Sequence, residues 1–198
     1  MKKWEEVYKT ENTMEDFIGN VANHSTLLSE IFIERPKRIL EIGSGSGTLG
    51  IFLSHFNFKV TSIDSNGKVI ELAKKHNKLF SGKVKFIKQD AFKLGFKGDS
   101  FDLVYHQGFL EHFSNEEIIA LLKEQLRIAP IVVLSVPNNH YGHKDVGNER
   151  LLSKEGWERI LSKFNVAESR EYYTLPRREF KRAIPWLKPT MYLAKIKR

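Results

Sequence analysis

The stretch Ile39-Leu-Glu-Ile-Gly-Ser-Gly-Ser-Gly47 constrains this chain more than any other. An apolar run closes on an acid, Glu41, then breaks into glycines at alternate positions, Gly43, Gly45 and Gly47, with Ser44 between the first two. Thr48 to His55 reads as the start of a helix. A strand, a tight turn and a helix in that order leave bare backbone at the crest of the turn, where a Cβ would hold a ligand away and forbid some backbone angles. The free N–H groups at the helix start are then available to an anionic ligand group. Spacing separates the known versions of such a turn. A G-x-G-x-x-G/A fingerprint counted from Gly43 meets Thr48 where Gly or Ala should stand, and a phosphate loop would need Gly-Lys-Ser/Thr, which does not follow.

Downstream, acids and amides recur at the ends of predicted strands. Phe58-Lys-Val-Thr-Ser-Ile-Asp64 is β-branched and apolar, and ends in a carboxylate seventeen residues beyond Gly47, with Ser65 beside it. An acid placed there can accept hydrogen bonds from both hydroxyls of a ribose, a role common to nicotinamide and S-adenosylmethionine sites. A third strand is predicted from Val84 through Asp90-Ala91-Phe92. A fourth runs from Phe101 into His106-Gln107, followed by Leu110-Glu-His112, and a fifth spans Ile131 to Pro137-Asn138. Between them, Lys68 to Lys78 sets Val69, Ile70, Leu72 and Ala73 at helical spacing. Ser114-Asn-Glu-Glu117 reads as a capped helix start. A last large helix is predicted from Ser153 to Phe164, and a terminal strand pair over 165–174 and 191–197. This alternation predicts an α/β fold: a mostly parallel, doubly wound sheet covered on both faces.

Taken together, Glu41-x-Gly-x-Gly-x-Gly47, Asp64, Asp90-Ala91 and Phe101-Asp-Leu-Val…Leu-Glu-His112 resemble the motifs of the class I S-adenosylmethionine-dependent methyltransferases. The resemblance covers roughly residues 37–138, and its last motifs are similar to those of the ubiquinone/menaquinone-type small-molecule enzymes. It implies a three-layer sheet of seven strands with the last antiparallel, and S-adenosyl-L-methionine as cofactor. The cofactor would be held by Glu41, Gly43, Ser44, Gly45, Gly47, Asp64, Ser65, Asp90, Ala91, His106 and Gln107. Residues 1–36 resemble the helical lid of such enzymes, with Trp4, Tyr8 and Phe17 as lid-packing or pocket aromatics. Residues 37–137 would then form the cofactor half, and 138–198 the substrate loop, last helix and terminal strands. One departure is Arg127-Ile-Ala-Pro130, where many relatives carry a Lys-Pro-Gly-Gly-like turn.

Methyl transfer from a sulfonium asks the protein mainly to position two reactants and exclude water; a base is needed only if the acceptor must lose a proton early. Histidine is the natural candidate near neutral pH. His140 and His143, in the loop after Pro137, and His112 are the expected catalytic residues. His140-x-x-His143 lacks a third metal ligand, so no metal site is expected.

With 198 residues one domain is expected, and the absence of cysteine excludes disulfides and thiol chemistry. No long apolar run or secretory h-region stands out, so a cytoplasmic protein is expected. The net charge of +8 is concentrated late: residues 170–198 hold nine basic residues against two acids. Arg177, Arg178, Lys181, Arg182 and Lys188 are interleaved with Phe180, Ile184, Trp186 and Leu187. Residues 176–188 therefore present three alternatives to a plain solvated insert: an anionic membrane surface, an acidic substrate, or, less favoured, nucleic acid. The oligomeric state is not legible. The leading expectation is methyl transfer to O, N or C of a small molecule. The alternatives are an RNA or protein methyltransferase using the basic segment, and a cofactor-binding protein without catalysis.

Overall fold

The computed structural model describes residues 12–174 and 188–198. Trp4, Tyr8 and the basic stretch 176–188, apart from Lys188, lie outside the described residues. Helix α1 (Met14–Asn23) starts in a reciprocal cap between Thr13 and Asp16, and α2 (Ser25–Glu34) follows it. The alternating part comprises β1 (Arg38–Ile42), α3 (Thr48–Ser54), β2 (Lys59–Asp64), α4 (Gly67–Leu79), β3 (Lys85–Lys88) and β4 (Leu103–Gln107). A 3-10 turn (Leu110–His112) leads to α5 (Asn115–Ile128), β5 (Ile131–Pro137), α6 (Lys154–Leu161), β6 (Val166–Tyr172) and β7 (Met191–Lys197).

These strands form one seven-stranded sheet in the order β3-β2-β1-β4-β5-β7-β6. The β1–β2, β1–β4, β2–β3 and β4–β5 pairs are parallel, and β7 runs antiparallel to both β5 and β6. The predicted doubly wound sheet with a reversed last strand is therefore present. Its order reverses between β1 and β4, which opens a crevice above their carboxyl ends.

Strand periodicity divides the core. Leu40, Ile42, Val104 and Leu134 point to the layer of α5 and α6, where Ile118, Leu121, Leu122, Trp157 and Leu161 are buried. Ile39, Leu103, Tyr105 and Val133 point to the layer of α2 and α3, against Leu27, Leu28, Ile31, Leu49 and Leu53. Within the segment expected to be a lid, α2 is thus a fixed layer of the core. Phe17, on α1, packs against Phe80 with ring centroids 4.5 Å apart.

The capping box predicted at Ser114 is formed, its hydroxyl accepting from the Glu117 amide while the Glu117 carboxylate accepts from the Ser114 amide. Two elements end three or more residues short of expectation. Strand β3 stops at Lys88, so Gln89 and Asp90 lie in the loop beyond it, and α6 stops at Leu161 rather than Phe164. In the first case Phe92 N–H turns back onto Asp90 Oδ1 at 2.9 Å, a side-chain turn that competes with strand pairing.

Candidate cofactor and acceptor site

Strand β1 ends at Ile42, and the next two amides do not continue the ladder. Gly43 and Ser44 N–H both donate to the Ile63 carbonyl, at 2.9 and 3.0 Å. This bends the chain across the end of β2 and brings Asp64 beside the turn. Gly43, Gly45 and Gly47 hold φ of 75°, 49° and 80°. At Gly47 the need for glycine is also steric, since a Cβ would lie 2.9 Å from Phe86 Cζ and 3.2 Å from Ala73 Cβ.

Around this turn lies a cavity of about 330 Å³ lined by Gly43, Gly45, Asp64, Ser65, Asp90, Ala91, Gln107 and His112 among the expected residues. Ile42, Ile63 and Val69 supply an apolar floor, and Gln89, Gly108, Phe92, Phe109 and Phe113 complete the lining. Four strand ends meet here because β2, β1 and β4 are neighbours and the loop after β3 folds over β2, Gln89 N–H donating to the Asp64 carbonyl at 2.9 Å. Asp64 Oδ1 accepts from the Asn66 amide at 2.8 Å. Burial pushes this carboxyl up, against hydrogen bonds from the Asn66, Gly45 and Ser65 amides that hold it down.

Four of the residues expected to hold the cofactor do not line the cavity. Glu41 is buried on the α3 side of the sheet, where Ser62 Oγ donates to Oε2 at 2.5 Å and Tyr105 Oη donates to Oε1 at 2.7 Å. Gly50 of α3 lets the helix pass over it, since a Cβ there would sit 2.6 Å from Glu41 Oε2. Burial, opposed by these hydrogen bonds, raises the Glu41 carboxyl to about 7. Its place is under the turn. Ser44 is buried and its Oγ has no partner, while Gly47 caps α3.

His106 corrects the sequence reading most plainly. The period of two that faces Val104 toward α5 faces His106 the same way. It is wholly buried, and burial lowers it to about 3, so the ring is neutral. Neither ring nitrogen has a well-formed hydrogen bond; Gln125 is its polar neighbour.

The three expected catalytic histidines also separate. His112 lines the cavity, and Nδ1 lies 2.8 Å from Asn148 Oδ1, which fixes Nδ1 as the protonated nitrogen. His140 and His143 do not line it. His143 is exposed, stacks on Tyr141 and sets Nε2 3.1 Å from Asp145 Oδ1, while the His140 amide donates to Asn138 Oδ1. The loop that carries them is tied down at both ends. Asn138 Nδ2 donates to Glu171 Oε1 and the Pro189 carbonyl, and Arg150 donates to Asn115 Oδ1 and the Phe113 carbonyl.

Several residues near the cavity were not singled out as site residues in the sequence. Glu111 is buried behind His112, with Oε1 3.8 Å from His112 Nε2 and Oε2 without a partner. Burial, reinforced by the charges of Glu149 and Asp145, pushes its carboxyl up to about 8. Glu149 accepts from the Val146 and Gly147 amides and shapes the loop that brings Asn148 to His112. Phe92, Phe109 and Phe113 form a connected aromatic wall, with centroids 5.5 and 4.9 Å apart. The only hint in the sequence was the phenylalanines flanking Leu-Glu-His, which read equally well as core. Among the described residues no group of three or more His, Cys, Asp or Glu could hold a metal ion.

Residues 39–129 match the family described as the methyltransferase domain. The PH0226 protein of Pyrococcus horikoshii shares the fold over 100% of this chain and 99% of its own, with TM-score 0.76 and 18% identity. Magnesium protoporphyrin IX methyltransferase from Synechocystis, solved with bound S-adenosylhomocysteine, overlays with TM-score 0.70 and 18% identity over 98% of this chain and 92% of that one. The family match covers a little under half of the chain, and the overlays show a shared fold. The sequence is also similar to the mitochondrial ubiquinone biosynthesis O-methyltransferase of Schizosaccharomyces pombe, 30% identical over 116 residues. That match covers 54% of this chain and 42% of the relative, so the match spans less than half the length of the curated protein.

The residues present fit S-adenosylmethionine. The glycine turn keeps the cavity open where a Cβ at Gly43 would come 3.1 Å from Phe109 Cδ2, and Asp64 offers a carboxylate at the end of β2. No helix among the described residues is long and apolar enough to cross a membrane.

Proposed function

We propose that this protein transfers a methyl group from S-adenosyl-L-methionine to an oxygen, nitrogen or carbon of a small molecule. The observation that carries the reading is the convergence of Gly43, Gly45, Asp64, Asp90 and Gln107 on one cavity that His112 and three phenylalanines also line. When bound, the cofactor supplies a methyl already activated on a sulfonium. The chain's own work is then positional. Backbone of Gly43 and Gly45 would hold the amino-acid end, Asp64 would accept from the ribose hydroxyls, Asp90 and Ala91 would border the adenine, and Gln107 would close the cofactor side. Phe92, Phe109 and Phe113 exclude water from the acceptor end.

Of the three histidines, His112 is the one proposed as base. With Nδ1–H directed to Asn148, Nε2 is the nitrogen that would take the proton an acceptor has to lose. The proposed partner is a small-molecule acceptor rather than nucleic acid, because among the described residues aromatics, and neither lysine nor arginine, line the cavity. A cytoplasmic location is proposed on the absence of cysteine. Calorimetric titration tests the reading. Wild type is expected to bind S-adenosylmethionine in the micromolar range, Asp64→Ala to lose at least tenfold in affinity, and His112→Gln to retain affinity while losing turnover about a hundredfold. Absence of binding to the wild type sinks the proposal, and undiminished turnover in His112→Gln removes the base.

A further inference from the structure

His76 lies on α4, on the turn of helix after Ala73, and its side chain is buried. Both ring nitrogens meet backbone. Nδ1 is 2.9 Å from the Ser46 carbonyl, and Nε2 is 3.1 Å from the Asn12 amide nitrogen. A carbonyl only accepts and an amide N–H only donates, so a single neutral tautomer satisfies both, with the hydrogen on Nδ1. A doubly protonated ring would set N–H against N–H at Asn12.

A second route joins the same two segments. Asn12 Nδ2 donates to Thr48 Oγ1 at 3.1 Å, and Thr48 Oγ1 lies 2.9 Å from Ser46 Oγ. Ser46 and Thr48 flank Gly47, the left-handed residue on which the cofactor turn pivots. Asn12 leads into α1, and one helical turn later Phe17 packs on Phe80, itself 6.3 Å from the His76 ring. The imidazole therefore bridges the entry to α1 and the crest of the glycine turn, and touches both through backbone atoms.

We propose that His76 is a positioning residue for the cofactor turn, making the shape of Gly43–Gly47 depend on the docking of Asn12 and α1 against α4. The inference rests on the cofactor reading above. Coupling of this kind is reciprocal: what the docked segment adds to cofactor affinity, the cofactor adds to docking of the segment.

The test compares wild type with His76→Phe, which keeps a ring against Phe80 but removes both hydrogen bonds, and with His76→Asn, which can still donate to Ser46. Hydrogen exchange of the free protein and calorimetry with S-adenosylmethionine are read at matched thermal stability. His76→Phe is expected to speed exchange at Ser46–Thr48 and at Asn12–Thr13 together, and to raise the Kd for S-adenosylmethionine about tenfold. His76→Asn is expected to recover most of that affinity. A folded His76→Phe protein whose Kd stays within twofold of wild type overturns the proposal, as does faster exchange confined to one of the two segments. Should His76→Phe not fold, Asn12→Pro deletes the amide donor from outside the core; a severalfold weaker Kd supports the clasp and an unchanged one overturns it. Failure of the wild type to bind S-adenosylmethionine would strike the cofactor reading, whereas the exchange experiment would still report on the clasp.

Discussion

Glu111 has a carboxyl wholly withdrawn from water, faced by two further acids, and one oxygen without a partner. A charge is costly in such a place, so the folded protein prefers the protonated form. The unfolded carboxyl titrates near 4.3. The folded state therefore binds this proton more tightly, and the stability it confers is complete below about pH 4 and drains away as pH rises through about 8. Glu41, raised to about 7 by burial, adds a second loss of the same sign. Glu111→Gln keeps the shape and removes one titration. Urea unfolding of this variant is expected to show a smaller drop between pH 5 and pH 9 than wild type, by on the order of 4 kcal/mol. Equal drops would mean that Glu111 ionises freely in the fold. Little of this was legible beforehand. Leu-Glu-His announces a motif, but whether its acid faces water, a ligand or the core depends on the loop 145–150 that closes over it.

At the scale of elements, the glycine turn and the helix behind it form one packed unit. Two glycines of opposite circumstance separate conformational from packing effects. Gly47 has φ of 80° and no room for a Cβ against Phe86 and Ala73, so Gly47→Ala is expected to cost about 2–4 kcal/mol in urea unfolding and to abolish cofactor binding. Gly19 lies within α1, and a Cβ there would meet nothing within 4 Å. Gly19→Ala is expected to stabilise the protein by about 0.5–1 kcal/mol with no change in binding. Comparable effects from both substitutions would refute the assignment of strain to the turn. These local features were readable from the chain: alternating glycines after an apolar strand, and Ser114 three residues ahead of Glu117, each carry their geometry in their spacing. Strand β3 was read past Lys88 because Asp90 offers its own side chain to the Phe92 amide, a choice invisible to periodicity.

Across the whole molecule, α2 is fastened to the sheet by charge as well as by apolar packing. Lys195 of β7, almost buried, places Nζ 2.9 Å from Glu30 Oε2, 3.0 Å from Glu34 Oε1 and 3.2 Å from Glu168 Oε2. Arg170 of β6 adds contacts to Glu30 and Glu168. Burial alone would push the Glu30 carboxyl up, but the hydrogen bonds and charges of Lys195 and Arg170 outweigh it and hold it below its usual range. Lys195→Met leaves Glu30 buried with less compensation and is expected to cost about 3–5 kcal/mol. Adding Glu30→Met should recover most of that loss, because two apolar side chains replace a buried pair at little net cost. A double variant no more stable than the single one would show that the cluster is not coupled. Charge is also less one-sided than the sequence totals suggested: residues 65–97 hold nine lysines against Glu71 and Asp90, all nine exposed on α4, β3 and their loops.

The chain by itself determined the order of strands and helices, the glycine turn, and the acids at strand ends that line the cavity. All of these follow from neighbours a few residues apart, through hydrophobic period, capping and the backbone freedom of glycine. Only the tertiary structure decided which polar residues face the cavity. It turned His106 beneath α5 and Glu41 beneath α3, held His140 and His143 in a loop that does not line the cavity, and drew Asn148 to His112 and Asn12 to His76. Those outcomes depend on contacts between residues tens of positions apart, and such contacts exist only once the sheet has closed and each helix has taken its face.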